Sequence, residues 1–166
     1  ALRQGETIHP DILKSVLMAG ALTGGAEILE WLIRRLESCD SEHERLQILT
    51  AMGCFSDLGL IKKALAYSLE KVPGRNRFVP ISAAAANPYA TGAMWQWFKD
   101  HVDSLEILHP LLFERVISSI VPVSGLSNPG DVNSFFSQYL IQKPHLEAVV
   151  RMSSERLEIN HRMRLS

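Results

Sequence analysis

ISAAAANPYATGAMWQWF, residues 81–98, holds the densest helical signals in the chain. Alanine is the strongest helix former and carries a small side chain, so the four alanines 83–86 predict a helix that neighbours can approach closely. Pro88 ends that helix, because the residue before a proline is pushed out of the α region. Pro88 is also expected to open the next helix, where its missing N–H costs nothing. In that helix, running to about Asp103, Trp95 and Phe98 share a face, while Trp97 projects from another side with Met94 and His101 near it. Large apolar groups on more than one side predict burial on more than one side, as in an inner helix of a layered, all-helical protein.

On the N-terminal side, Pro10 starts a helical stripe of Ile12, Leu13, Val16 and Leu17, broken by Thr23-Gly24-Gly25. Ile28, Leu29, Trp31, Leu32, Ile33 and Leu36 form a second helix. Ser41 caps a third, with Glu44 expected to complete a capping box and Leu46, Ile48, Leu49 and Met52 on its buried side. A fourth runs from about Asp57 to Glu70. Residues 72–76, VPGRN, read as a loop. On the C-terminal side, Pro110 opens a helix that Pro122 is expected to end, and residues 124–131, SGLSNPGD, read as a turn-rich connector. Val132, Phe135, Phe136, Tyr139 and Leu140 make the next helix, and Pro144 begins the last. About nine helices with short connectors and no convincing strand predict an all-α fold. The expected arrangement is a HEAT-like or armadillo-like array of antiparallel helix pairs, an α-α superhelix forming one helical-repeat domain over residues 1–166, with a globular bundle as the alternative.

The 166 residues suffice for one domain with a real core. A formal net charge of −1 argues against a nucleic-acid partner, which usually leaves a basic excess. No apolar run approaches the length of a membrane span. Cys39 and Cys54 are too few for a disulfide framework or a zinc knuckle, and no Asn-x-Ser/Thr signal occurs, so a cytoplasmic location is expected. The sequence starts abruptly at Ala1, as a piece cut from a longer chain would.

No catalytic residue is expected within this chain. None of the six histidines lies four residues from another, so no His-Glu-x-x-His motif exists, and His43-Glu44-Arg45-Leu46-Gln47 has glutamine where the second metal ligand belongs. No nucleophile elbow, phosphate loop or dinucleotide fingerprint appears. One loop carries a binding candidate. Arg75 and Arg77 flank Asn76 in a glycine-containing turn, and two guanidinium forks there could receive a carboxylate. Without such a ligand they are solvated loop residues. The charged face of the last helix reads as a solvated face with i,i+4 pairing.

Taken in order, the chain resembles the C-terminal helical domain of zinc aminopeptidases of the aminopeptidase N and puromycin-sensitive type, and most of all the tricorn-interacting aminopeptidase factors. The resemblance rests on residues 46–58, within RLQILTAMGCFSDL; on NPYATGAMWQWFKDHVDSL, residues 87–105; on Phe135-Phe136; and on Glu155 and Asn160, which match a closing Glu-x-x-x-x-Asn pattern. It covers about residues 11–165. There are departures: Arg75-Asn76-Arg77-Phe78 lacks the acid that often leads into this region. Gly92 falls later than the family glycine, His101-Val102 stands where Asn-Trp is common, and Met163 stands where a tryptophan is common.

The resemblance implies a non-catalytic domain that folds over the catalytic domain of the same polypeptide and encloses the peptide substrate chamber. The single zinc of the parent enzyme would be held upstream, outside this sequence. Arg75 and Arg77 would then contact the peptide or the catalytic domain. A freestanding helical-repeat adaptor, binding a protein or peptide in its groove, fits composition and periodicity equally well.

Overall fold

A computed structural model describes residues 9–166. The described residues form nine α-helices and no strand: α1 (Pro10–Thr23), α2 (Ala26–Ser38), α3 (Glu42–Met52), α4 (Leu58–Lys71), α5 (Phe78–Ala86), α6 (Thr91–Leu105), α7 (Pro110–Ser124), α8 (Pro129–Gln142) and α9 (Glu147–Leu165). The all-α expectation holds. The helices fall into two compact units, one ending at Ala83 and the other spanning Ala84–Ser166, so the division lies inside α5.

In the first unit α3 is the inner helix, packed by α1, α2 and α4. Gln47, Ile48, Leu49, Ala51 and Met52 are all buried on it, nearly all the way round. The single buried side expected from sequence is therefore corrected. Leu46 is 36% exposed, while Gln47, one residue on, is 8% exposed. Three surrounding helices leave only one direction open, and Leu46 points there. The capping box is also only half made. Ser41 accepts from the Glu44 amide, but the Glu44 carboxylate turns away to Arg35 of α2, 2.5 Å from its Nε. An ion pair across two helices has displaced a local backbone contact.

In the second unit α6 packs on α7, α7 on α9, and α8 on α9. Trp95, Trp97 and Phe98 of α6 are all buried. Trp95 stacks on Phe98 at 5.6 Å and meets the edge of Phe135 at 5.4 Å, offset and T-shaped geometries that the ring quadrupole favours. Trp97 lies on the other side, stacked on His101 at 4.6 Å. The two-sided burial read from the sequence is what the helix has.

Three boundaries differ from expectation, each for a local reason. Pro88 does not open α6. The Asn87 side chain accepts from the Tyr89 amide, and the Asn87 carbonyl accepts from Ala90 and Thr91, so one full turn intervenes before Thr91. Pro122 does not end α7, which continues to Ser124 with Gly125 N–H donating to the Val121 carbonyl. α8 starts within the expected connector, at Pro129, because the Asn128 side chain accepts from the Asp131 amide and Pro129 fits the first turn. Between α7 and α8 the chain passes through buried Gly125. A Cβ there would lie 2.8 Å from Val132 and 3.1 Å from Leu157, so close packing rather than backbone conformation requires glycine.

Candidate functional site

The two arginines singled out in the sequence share the connection between α4 and α5, and the structure gives them different surroundings. Arg77 Nε donates to the Val72 carbonyl at 2.7 Å, placing a cation on the carbonyl end of α4, where the helix dipole favours it. Arg75 is 72% exposed and lies 3.8 Å from the Glu42 carboxylate. Buried Asn76 between them donates to the other Glu42 oxygen at 3.0 Å. Arg45 Nε lies 3.3 Å from Glu42 as well, and its Nη2 donates to the Cys39 carbonyl at 2.8 Å. One carboxylate at the start of α3 thus faces two guanidinium groups, leaving the turn with a net positive charge. An incoming carboxylate could share Arg75 with Glu42. The sequence signal that could have found Glu42 is its place in the first turn of a helix, where an acid is favoured.

The truncated zinc pattern on α3 closes on itself. His43 Nε2 and Gln47 Nε2 are 2.5 Å apart on one face of the helix, so the position of a second imidazole ligand is filled by an amide already in contact with the first. Among the described residues no three His, Cys, Asp or Glu side chains gather as a metal site would require. These residues do not fit zinc. Cys39 and Cys54 are free thiols, and burial pushes both above the ordinary thiol range, which disfavours the reactive thiolate. No described helix is long and apolar enough to cross a membrane.

Two charged clusters tie α6 to α8. Asp131 Oδ2 accepts from Lys99 Nζ and from Trp95 Nε1, each at 2.6 Å, and these bonds, Lys99 first, hold the carboxyl below its ordinary range. Glu106 is held low by the hydrogen bond from Tyr139, with Lys143 3.0 Å away adding to it. Tyr139 is pushed up, first by burial and then by Glu106. Both clusters are neutralised from within and read as joints between helices.

A concave feature of the second unit lies between α7 and α9. Asn160, near the end of α9, donates to the Pro122 carbonyl near the end of α7, so the two helices lie side by side in the same sense. The groove between them encloses about 490 Å³. Its apolar lining includes Leu111, Pro122, Val149 and Met152, and Glu114, Arg115 and Arg156 supply charge. Leu111 is 64% and Met152 66% exposed. Sequence reading missed this groove, because it is assembled from residues nearly forty positions apart.

A family model describing the ERAP1-like C-terminal domain matches residues 1–159. Two curated relatives match almost the whole chain. The chain is 24% identical over 163 residues to a protein named "Probable aminopeptidase 2" from Sulfurisphaera tokodaii, covering 95% of this chain and 20% of that protein. It is 24% identical over 161 residues to a protein named "Leucyl aminopeptidase" from Saccharolobus solfataricus, again covering 95% of this chain and 20% of that protein. The chain spans about a fifth of the length of the curated relatives it matches.

Proposed function

The chain belongs to the ERAP1-like C-terminal domain family, and from that premise we propose that it is the non-catalytic C-terminal domain of a zinc-dependent aminopeptidase, capping the catalytic domain and enclosing the peptide chamber. The observation that carries the reading is the pairing of coverages: relatives named as aminopeptidases match almost all of this chain with only a fifth of their own length. The remaining four fifths of such a protein would hold the catalytic residues and the zinc. Among the described residues no set of side chains gathers that could hold a metal, which suits a domain that shapes and covers while the zinc is held elsewhere.

Helix pairing of the α-α kind is the arrangement we propose within the second unit, supported by the side-by-side packing of α7 and α9. Peptides are the proposed ligands. Arg75 is the contact we assign to a peptide carboxylate or to the catalytic domain, with Arg77 holding the turn through Val72. A cytoplasmic location is supported by the two free thiols.

The test is the natural protein itself. An immunoblot with an antibody to this chain is expected to detect a protein several times larger than 18.6 kDa, and that protein is expected to show aminopeptidase activity that a zinc chelator removes. A natural protein of this chain's own mass, or a large one without chelator-sensitive activity, sinks the reading. The first of these outcomes would leave a freestanding helical adaptor.

A further inference from the structure

α9 carries two apolar faces. One, with Leu146 just before the helix and Val150, Ser153 and Leu157 on it, is buried. The other consists of Met152, Ile159 and Met163, seven and then four residues apart and so aligned along one side of the helix, and all three are exposed. An outer helix with no further neighbour is expected to be polar on its outer side. Met152 is also the rim of the α7–α9 groove, so the exposed row and the groove lining, with Leu111 and Val149, form one continuous apolar strip. From Leu111 to Pro122 the groove follows α7 for about 16 Å, three turns of helix. Arg115 and Arg156 against Glu114 leave its edge with one more cation than anions.

From this strip we infer that the groove seats an amphipathic helix from the catalytic portion of the same polypeptide. That helix lays its apolar side on Leu111, Val149 and Met152 and turns an acidic residue toward Arg156. Methionine suits such a seat, because its unbranched side chain adapts to the surface laid on it. The occupant is assigned to the same polypeptide because relatives about five times longer than this chain leave most of their length to cover it. The inference rests on the proposed aminopeptidase reading and adds which face is covered.

The experiment uses the full-length protein carrying Met152→Cys and, separately, Leu111→Cys, with maleimide labelling read peptide by peptide by mass spectrometry. Both introduced thiols are expected to react at least tenfold more slowly in the native protein than in urea, at high and low protein concentration alike. Native labelling as fast as in urea, in a large and active aminopeptidase, overturns this inference and leaves the proposed function standing. Protection lost on dilution assigns the face to a second copy, and protection that appears only with added peptide assigns it to substrate. Either result overturns the inference. A natural protein of this chain's own mass overturns both readings.

Discussion

Asn160 of α9 donates from Nδ2 to the carbonyl of Pro122 in α7, 2.8 Å away and 38 residues back along the chain. That carbonyl is among the last four of α7, which a helix cannot satisfy from within itself. Asn160→Ala leaves it without this donor, and the expected loss in urea unfolding is about 1–2 kcal/mol. Arg162→Ala, two residues on, removes an exposed i,i+4 pair with Glu158, 3.6 Å apart, and is expected to cost less than about 0.5 kcal/mol. Equal losses for the two variants would count against the capping role.

Trp95 combines apolar bulk with one directed bond. Trp95→Ala is expected to cost about 3–5 kcal/mol, since its ring meets Phe98, Phe135 and Phe136. Trp95→Phe keeps most of that contact but loses the indole N–H on Asp131, and is expected to cost about 1–3 kcal/mol. Denaturant unfolding measures both. A phenylalanine variant as stable as the parent would mean that the bond to Asp131 carries no net stabilisation.

Acid should loosen the α6–α8 joints. Both Asp131 and Glu106 titrate below their ordinary range in the folded chain, because Lys99 and Trp95 donate to the first and Tyr139 and Lys143 to the second. Unfolded, both return to about 4. Their stabilisation is therefore complete above that value and is lost as pH falls through it toward the lower folded values. The unfolding midpoint is expected to drop from about pH 4 downward, and Glu106→Gln with Asp131→Asn to flatten that drop. An acid limb of unchanged slope in the double variant would place its cause elsewhere. At the alkaline end, Tyr139 is expected to ionise later than an ordinary tyrosine in an ultraviolet titration, because burial and Glu106 both push it up.

Arg75 and Arg77 should separate cleanly. Arg77→Ala removes the donor on the Val72 carbonyl and is expected to cost about 1 kcal/mol of stability. Arg75→Ala, at an exposed pair 3.8 Å from Glu42, is expected to leave stability within about 0.5 kcal/mol. If the full-length protein is the aminopeptidase proposed above, Arg75→Ala is expected to alter its preference for peptide length. An unchanged preference removes Arg75 from the substrate path.

Much of the helical framework was legible because its signals are local. Pro88 announced the end of the alanine-rich helix at Ala86, and the spacing of Trp95, Trp97 and Phe98 announced an inner helix. The misreadings share a physical origin in partners distant along the chain. Gln47 is buried among three helices, and nothing in its neighbours in sequence distinguishes it from Leu46. Pro122 sits inside α7, in its last turn, and its own carbonyl is held by Asn160. Arg75 and Arg77 looked alike as letters, yet one spends its guanidinium on a backbone carbonyl that no side-chain pattern reveals. The α7–α9 groove was out of reach for the same reason: Leu111 and Met152 each read as ordinary helix positions until the two helices are laid side by side.

Trp95, Lys99 and Asp131 converge on a single carboxylate oxygen. Losing Asp131 would strand an indole N–H and an ammonium together, and losing either donor would leave the other holding the start of α8 alone. Replacing one of the three costs more than exchanging them jointly, so the three positions, on two helices, should pass down lineages as one inherited character, kept together or exchanged together.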